Sequence, residues 1–221
     1  MSIELVIFDC DGVLVDSEIL TVEIEARVLT EMGFPTTPAD VVREFMGKSD
    51  EKMQAELTAL MGSEASLEFD RVASKEIVAA FEDRLQCVDG VVALIDMLHD
   101  QGIATCVASS GSHKKMRFTL GITGLWERFE GRIFSASEVQ HGKPAPDLFL
   151  HAAARMNTAP QRCAVIEDSI YGVQGAVAAG MHAFGYAGGL TPEAVLRDAG
   201  ATIFHAMREL ETTKLFNPTP Q

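Results

Sequence analysis

Asp9 and Asp11 are separated by one residue at the end of an apolar run, Leu5-Val6-Ile7-Phe8. In an extended backbone, residues i and i+2 face the same side, so the two carboxylates converge where the chain has to turn. Two like charges that close repel unless they share a cation or one of them carries a proton. Either arrangement is chemically useful. Other strand-like runs end in polar residues of a similar kind. The run 103–108 leads into Ser109-Ser110-Gly111, and the run 163–166 leads into Glu167-Asp168-Ser169. Lys143 stands in the loop Gly142-Lys143-Pro144-Ala145-Pro146-Asp147. Ligands of open α/β sheets bind at the carboxyl ends of the strands. Asp9, Asp11, Glu167, Asp168, Ser109 and Ser110 from those ends, with Lys143 added, supply four carboxylates, two hydroxyls and one ammonium group. Hard oxygen ligands without a histidine cluster favour Mg2+ over zinc.

Taken singly, each of these residues has a bland explanation. Aspartates favour turns, a serine after a strand caps the next helix, lysines are mostly solvated, and an acidic pair suits a helix N-terminus. Their combination at the ends of successive strands is what points to a site.

The elements that must position them follow from hydrophobic spacing. After the first strand, the segment 17–84 is helical throughout. Ile19, Leu20, Ile24, Val28 and Leu29 recur at helical intervals, with Gly33 as a stop. Thr37 and Pro38 open a second helix that ends near Gly47, Ser49 caps a third that runs to Met61, and a fourth covers 67–84. Past Cys87, strands and helices alternate. Helices are expected at 91–99, after His113, at 147–156 and at 171–179; strands are expected at 103–108, 132–134, 163–166, 182–186 and 201–204. The pattern predicts an α/β fold. A Rossmann-like parallel sheet carries helices on both faces, and a helical bundle, a cap domain, is inserted after the first strand. The expected boundaries are 1–15 with 86–221 for the α/β core, and 16–85 for the bundle.

With 221 residues, 47% hydrophobic and 23% charged, the chain has enough apolar residues for a sizeable core. The net charge of -14 argues against a nucleic-acid partner and against an anionic membrane surface. An anionic substrate would therefore need local positive charge, from a metal or a few placed lysines. Cys10, Cys87, Cys106 and Cys163 form no C-x-x-C pair, which argues against a zinc ribbon or a dithiol redox motif. Neither a signal peptide nor a spanning segment is evident, so a cytoplasmic protein, monomeric or a small homo-oligomer, is expected. A cysteine phosphatase would need an arginine six residues after its cysteine; Asp16, Ala93, Ser112 and Ser169 stand there instead. Gly47-Lys48-Ser49 hints at a P-loop, but Val42 occupies the place of its first glycine.

The motifs in order resemble those of the haloacid dehalogenase superfamily, in its phosphatase branch with a helical cap. Asp9-x-Asp11-Gly12-Val13 resembles the first motif, Ser109 the second, Lys143 the third and Glu167-Asp168 the fourth. The resemblance covers essentially the full length. It implies Mg2+-dependent hydrolysis of a small phosphomonoester, a sugar phosphate or sugar-acid phosphate. Asp9 would be the nucleophile and Asp11 the proton-bearing acid and base. Lys143 would screen the nucleophile from the phosphate, and Ser109 with Ser110 would bind the phosphoryl group. Asp9, Asp11, Glu167 and Asp168 would serve the metal, Asp11 through its backbone carbonyl and Glu167 through a water. In the family the turn between the second and third cap helices faces the site, which makes Lys48 a candidate for the substrate tail. A mutase resembling β-phosphoglucomutase is the nearest alternative. That mutase has a lysine and an asparagine where Ser112 and His113 stand, and a cap histidine where Leu20 and Thr21 stand, so hydrolysis is favoured. A non-catalytic phosphometabolite-binding protein is the alternative of another class, and the intact motif set argues against it.

Overall fold

The computed structural model describes residues 2–45, 50–213 and 216, with the backbone alone at 50–52. The chain divides into two compact units, Met1–Asp16 with Gln86–Gln221, and Ser17–Leu85. The first opens with β1 (Leu5–Phe8). The second holds α1 (Ser17–Glu31), α2 (Pro38–Glu44), α3 (Asp50–Met61) and α4 (Ser63–Arg84). The first unit then resumes with α5 (Val91–Asp100), β2 (Ala104–Ser109), α6 (His113–Ile122), α7 (Trp126–Phe129) and β3 (Ile133–Ser135). It continues through α8 (Asp147–Arg155), β4 (Cys163–Glu167), α9 (Ile170–Ala178), β5 (His182–Tyr186), α10 (Glu193–Asp198), β6 (Thr202–Phe204) and α11 (Arg208–Glu211).

The six strands form one parallel sheet in the order β3-β2-β1-β4-β5-β6. All four residues of β1 are fully buried, as expected of a central strand covered on both faces. Leu5 and Ile7 join the cluster of Phe134, Leu148, Phe149, Ala152, Val173 and Ala176, which seats α8 and α9 on one face. On the other face the Phe8 ring meets Phe129 of α7 edge to face, centroids 6.0 Å apart. Register levels the strand ends: Phe8 lies opposite Val107 of β2 and Ile166 of β4. The order reverses between β1 and β4, the switch point at which sheets of this kind open a crevice.

The second unit is all helical among its described residues. Thr37 and Asp40 form a reciprocal capping box at α2, with Pro38 as the first helical residue. α4 begins at Ser63, earlier than its apolar spacing suggests. Gly62, at φ +84°, reverses the chain in a single residue and accepts the first helical bond from Ser66. Gln54 of α3 donates to Ser66 of α4 at 2.8 Å, and Arg27 of α1 pairs with Glu76 of α4. α7, α10 and α11 have no counterpart in the sequence spacing, because helices of four to six residues are too short to show a period. Ser49 and Lys48 lie outside the described residues.

Candidate active site

β1 stops at Phe8, but its pairing runs one residue further, since the Asp9 amide donates to the Ile166 carbonyl at 3.0 Å. The chain then reverses tightly. The Leu14 and Val15 amides both donate to the Cys10 carbonyl, and Gly12 holds φ +74° while its amide donates to Val15. A side chain at Gly12 would be strained in that left-handed conformation. Asp9 and Asp11 are thereby fixed on either side of Cys10. The Cys10 thiol is fully buried, and burial together with Asp11 and Asp9 pushes its ionisation well up. It is a core group and not a nucleophile.

Lys143 comes in from the loop before α8, and its Nζ donates to Asp9 Oδ1 at 2.5 Å and to Glu167 Oε1. Its side chain is only 5% exposed, so the ammonium is sealed between two carboxylates. Burial alone would lower its pKa, but Asp9 and Glu167 more than offset that and hold it charged. The Phe149 ring lies 5.2 Å from the ammonium, a cation–π contact. Phe149 in turn packs tightly on Gly175, where an added Cβ would lie 3.1 Å from its ring.

Glu167 and Asp168 end β4, and both are buried. Oε2 of Glu167 accepts from the Ser169 amide and hydroxyl, each at 2.9 Å, which folds the carboxylate over the start of α9. Gly172 makes that possible, since a Cβ there would lie 1.8 Å from Glu167 Oε1 and 1.9 Å from its Cδ. Gly172→Ala is therefore expected to displace Glu167 and strip Lys143 of one partner. Turnover should fall about ten- to a hundredfold, as for other losses of a residue that orients a site. A helix effect alone would go the other way, because alanine is the better helix former. Steady-state kinetics beside a thermal melt check this, and unchanged turnover would contradict it.

The carboxylates of Asp9, Glu167 and Asp168 each offer an oxygen, all within 4.8 Å of one another. Burial raises the Asp9 pKa to about 7; Lys143 opposes the shift, and Glu167 and Asp11 reinforce it. When all are ionised, the four carboxylates here face two ammonium groups, Lys143 and Lys115. The surplus of two negative charges, on oxygen donors alone, fits a hard divalent cation.

Lys115 escapes a reading confined to strand ends. It sits in the first turn of α6, and its Nζ donates to Asp11 Oδ2 at 2.8 Å. Each aspartate of the opening pair thus has its own lysine in place of one shared cation. The one sequence signal is position: Lys115 lies one helical turn before the buried Thr119, whereas Lys114 precedes the half-buried Phe118 by the same turn. Ser109 is buried at the end of β2, and its hydroxyl accepts from the Gly111 amide at 3.1 Å. Ser110 is exposed and stands outside this hydrogen-bonded cluster. The structure brings Asp9, Asp11, Lys143, Glu167, Asp168 and Ser109 to one edge of the sheet and leaves Lys48 undescribed.

A family described as haloacid dehalogenase-like hydrolase matches residues 3–180. The chain belongs to that family. Among its haloacid dehalogenase-like relatives, the 6-phosphogluconate phosphatase of Escherichia coli (strain K12) is 32% identical over 187 residues, 82% of this chain and 81% of that one. A phosphorylated carbohydrates phosphatase of Thermotoga maritima is 32% identical over 200 residues, 90% and 92% of the two chains. A conserved haloacid dehalogenase-like protein of unknown function from Agrobacterium tumefaciens superposes with a TM-score of 0.83 at 33% identity, over 95% of this chain and 96% of that one. No described helix of this haloacid dehalogenase-like hydrolase is long and apolar enough to cross a membrane.

Proposed function

We propose that the chain is a Mg2+-dependent phosphatase of small phosphomonoesters, sugar phosphates or sugar-acid phosphates, acting through an aspartyl-phosphate at Asp9. The observation that carries this is the Lys143 ammonium, sealed between Asp9 and Glu167 beside Asp168 at the switch point of the sheet. Phosphatase names among the relatives support the same reading.

Each residue has a chemical task. An Asp9 oxygen attacks phosphorus as the bond to the leaving alcohol breaks, and Asp11 gives that alcohol its proton. Water then attacks the same phosphorus, Asp11 takes up the proton released, and the Asp9–phosphorus bond breaks to free phosphate. Lys143 neutralises charge on the phosphoryl oxygens as it moves between the two oxygens in line. The Ser109 hydroxyl already accepts from Gly111, which leaves its own proton for a phosphoryl oxygen, and Ser110 offers a second hydroxyl at the exposed rim. Asp9, Asp168, the Asp11 carbonyl and, through a water, Glu167 would hold Mg2+, which supplies counter-charge that keeps Asp9 ionised and draws charge off the phosphate.

The side chains at the mutase positions are committed elsewhere. Ser112 Oγ caps α6, accepting from the Lys115 amide at 3.2 Å, and His113 bonds Glu138 at 2.8 Å. These bonds give both side chains a role at the start of α6, which supports hydrolysis over phosphate transfer. A phosphate-release screen over sugar phosphates, phosphoglycolate and nucleotides tests the reading. Chelation with EDTA is expected to abolish release, and re-addition of Mg2+ to restore it. Equal release with and without the chelator would contradict the metal assignment. Conversion of β-glucose 1-phosphate to glucose 6-phosphate without phosphate release would favour the mutase.

A further inference from the structure

We infer that Lys115 reads the leaving group and gives this site a preference for phosphomonoesters whose alcohol carries a second anionic group, such as a carboxylate. The inference rests on the phosphatase reading, because that reading is what brings the leaving alcohol to Asp11. If the leaving oxygen lies within hydrogen-bond reach of the Asp11 carboxyl, then Lys115 Nζ, 2.8 Å from the same carboxyl, lies within roughly 8 Å of it. That distance spans the carbon chain of a small sugar acid.

The two lysines of the site are built for different work. Lys143 is enclosed and uses its donors on Asp9 and Glu167. The Lys115 side chain is 46% exposed, and its bond to Asp11 uses one of the three donors of an ammonium group. Its base is nevertheless held firmly. Ser112 Oγ accepts from the Lys115 amide at 3.2 Å, and the Thr119 hydroxyl donates to its carbonyl at 3.2 Å. The loop beneath is tied down by Ser135, whose hydroxyl donates to the Gly111 carbonyl at 2.8 Å. Gly111 is where the site groups meet: a Cβ there would lie 3.4 Å from Ser109 Oγ, 3.6 Å from Lys115 Cδ and 3.7 Å from Asp11 Oδ2. Lys115 thus passes the phosphate-side serine and presents a charged, accessible tip beside the acid. In a chain of net charge -14 an anionic substituent is repelled at long range. A fixed cation beside the leaving group supplies the local attraction such a substrate needs. The group is identified by its chemistry: an anion placed on the leaving alcohol, which donates nothing to Lys115 and accepts two hydrogen bonds.

The test compares 6-phosphogluconate with sorbitol 6-phosphate, which differ at the far end by a carboxylate against a hydroxymethyl group. The wild-type ratio of kcat/KM is expected to favour the acid by about tenfold or more, the worth of one charge-assisted hydrogen bond. Lys115→Met should bring that ratio near unity, mainly through KM for the acid, and Lys115→Arg should keep most of it. Lys115→Gln, which keeps a polar side chain of similar length, repeats the measurement should the methionine variant fold poorly. A ratio that survives in both neutral variants, with the two esters slowed equally, would overturn the inference and leave Lys115 a positioning residue for Asp11. A wild type without preference for the acid would overturn it too. A wild type that hydrolyses neither ester, nor any other phosphomonoester, would overturn the phosphatase reading itself.

Discussion

Asp9→Asn is expected to lower kcat by roughly 10^4-fold or more on every accepted phosphomonoester, because the amide cannot form the acyl phosphate. The same change reports on stability with a definite sign. The Asp9 carboxyl is buried, and its pKa is raised from 3.8 to about 7 by that burial before any cation is added. Between these values the folded chain keeps a proton that the unfolded chain has released. Wild-type stability relative to the asparagine variant should therefore fall as pH rises from about 4 to about 7, and stay level above. Denaturant titrations in Mg2+-free buffer at several pH values measure this. Mg2+ should flatten the difference, since a cation favours the ionised form. A difference that does not vary with pH would contradict the burial of Asp9.

Lys143→Met is the second large effect. It leaves Asp9 and Glu167 facing one another, buried, with no ammonium between them. Removing one partner of a buried ion pair costs about 3–5 kcal/mol, a large share of the stability of a domain this size. The loss should show in the urea midpoint at pH 7 and be smaller at pH 5, where Asp9 takes up a proton. Mg2+ should restore part of it in the variant, as an alternative counter-charge. Turnover should fall by about 10^3-fold, in line with the loss of one preorganised charge in a transition state. A variant as stable as the wild type would mean that the ammonium is not the neutraliser of this cluster.

Much of this was legible in the residues, for physical reasons that differ element by element. The parallel sheet showed in the unbroken apolar runs of β1, β2 and β4, each ending in polar residues, because strands covered on both faces have no polar side. Those ends named Asp9, Asp11, Ser109, Glu167 and Asp168 together, since the register levels them at one edge. The motif resemblance placed Lys143 beside Asp9, but its bond to Glu167 was not visible, because a loop lysine carries no periodic signal. Its role depends on Gly175 and Phe149, which only the packing of α9 on α8 brings beneath it. Gly172 gives no sign in the sequence that its neighbour is the Glu167 carboxylate itself. Lys115 was hidden by its place one turn into a helix, where Lys114 beside it is equivalent in composition and differs only in direction.

The central claim is that Asp9 becomes phosphorylated during turnover. Quenching the reacting enzyme with borohydride tests it most directly, since the reagent reduces an acyl phosphate to an alcohol and leaves free carboxylates intact. Peptide mass spectrometry should then find homoserine at position 9, only when substrate and Mg2+ are both present. Steady turnover with Asp9 unreduced, or with the reduced carboxyl at Asp11 or Asp168, would contradict the account.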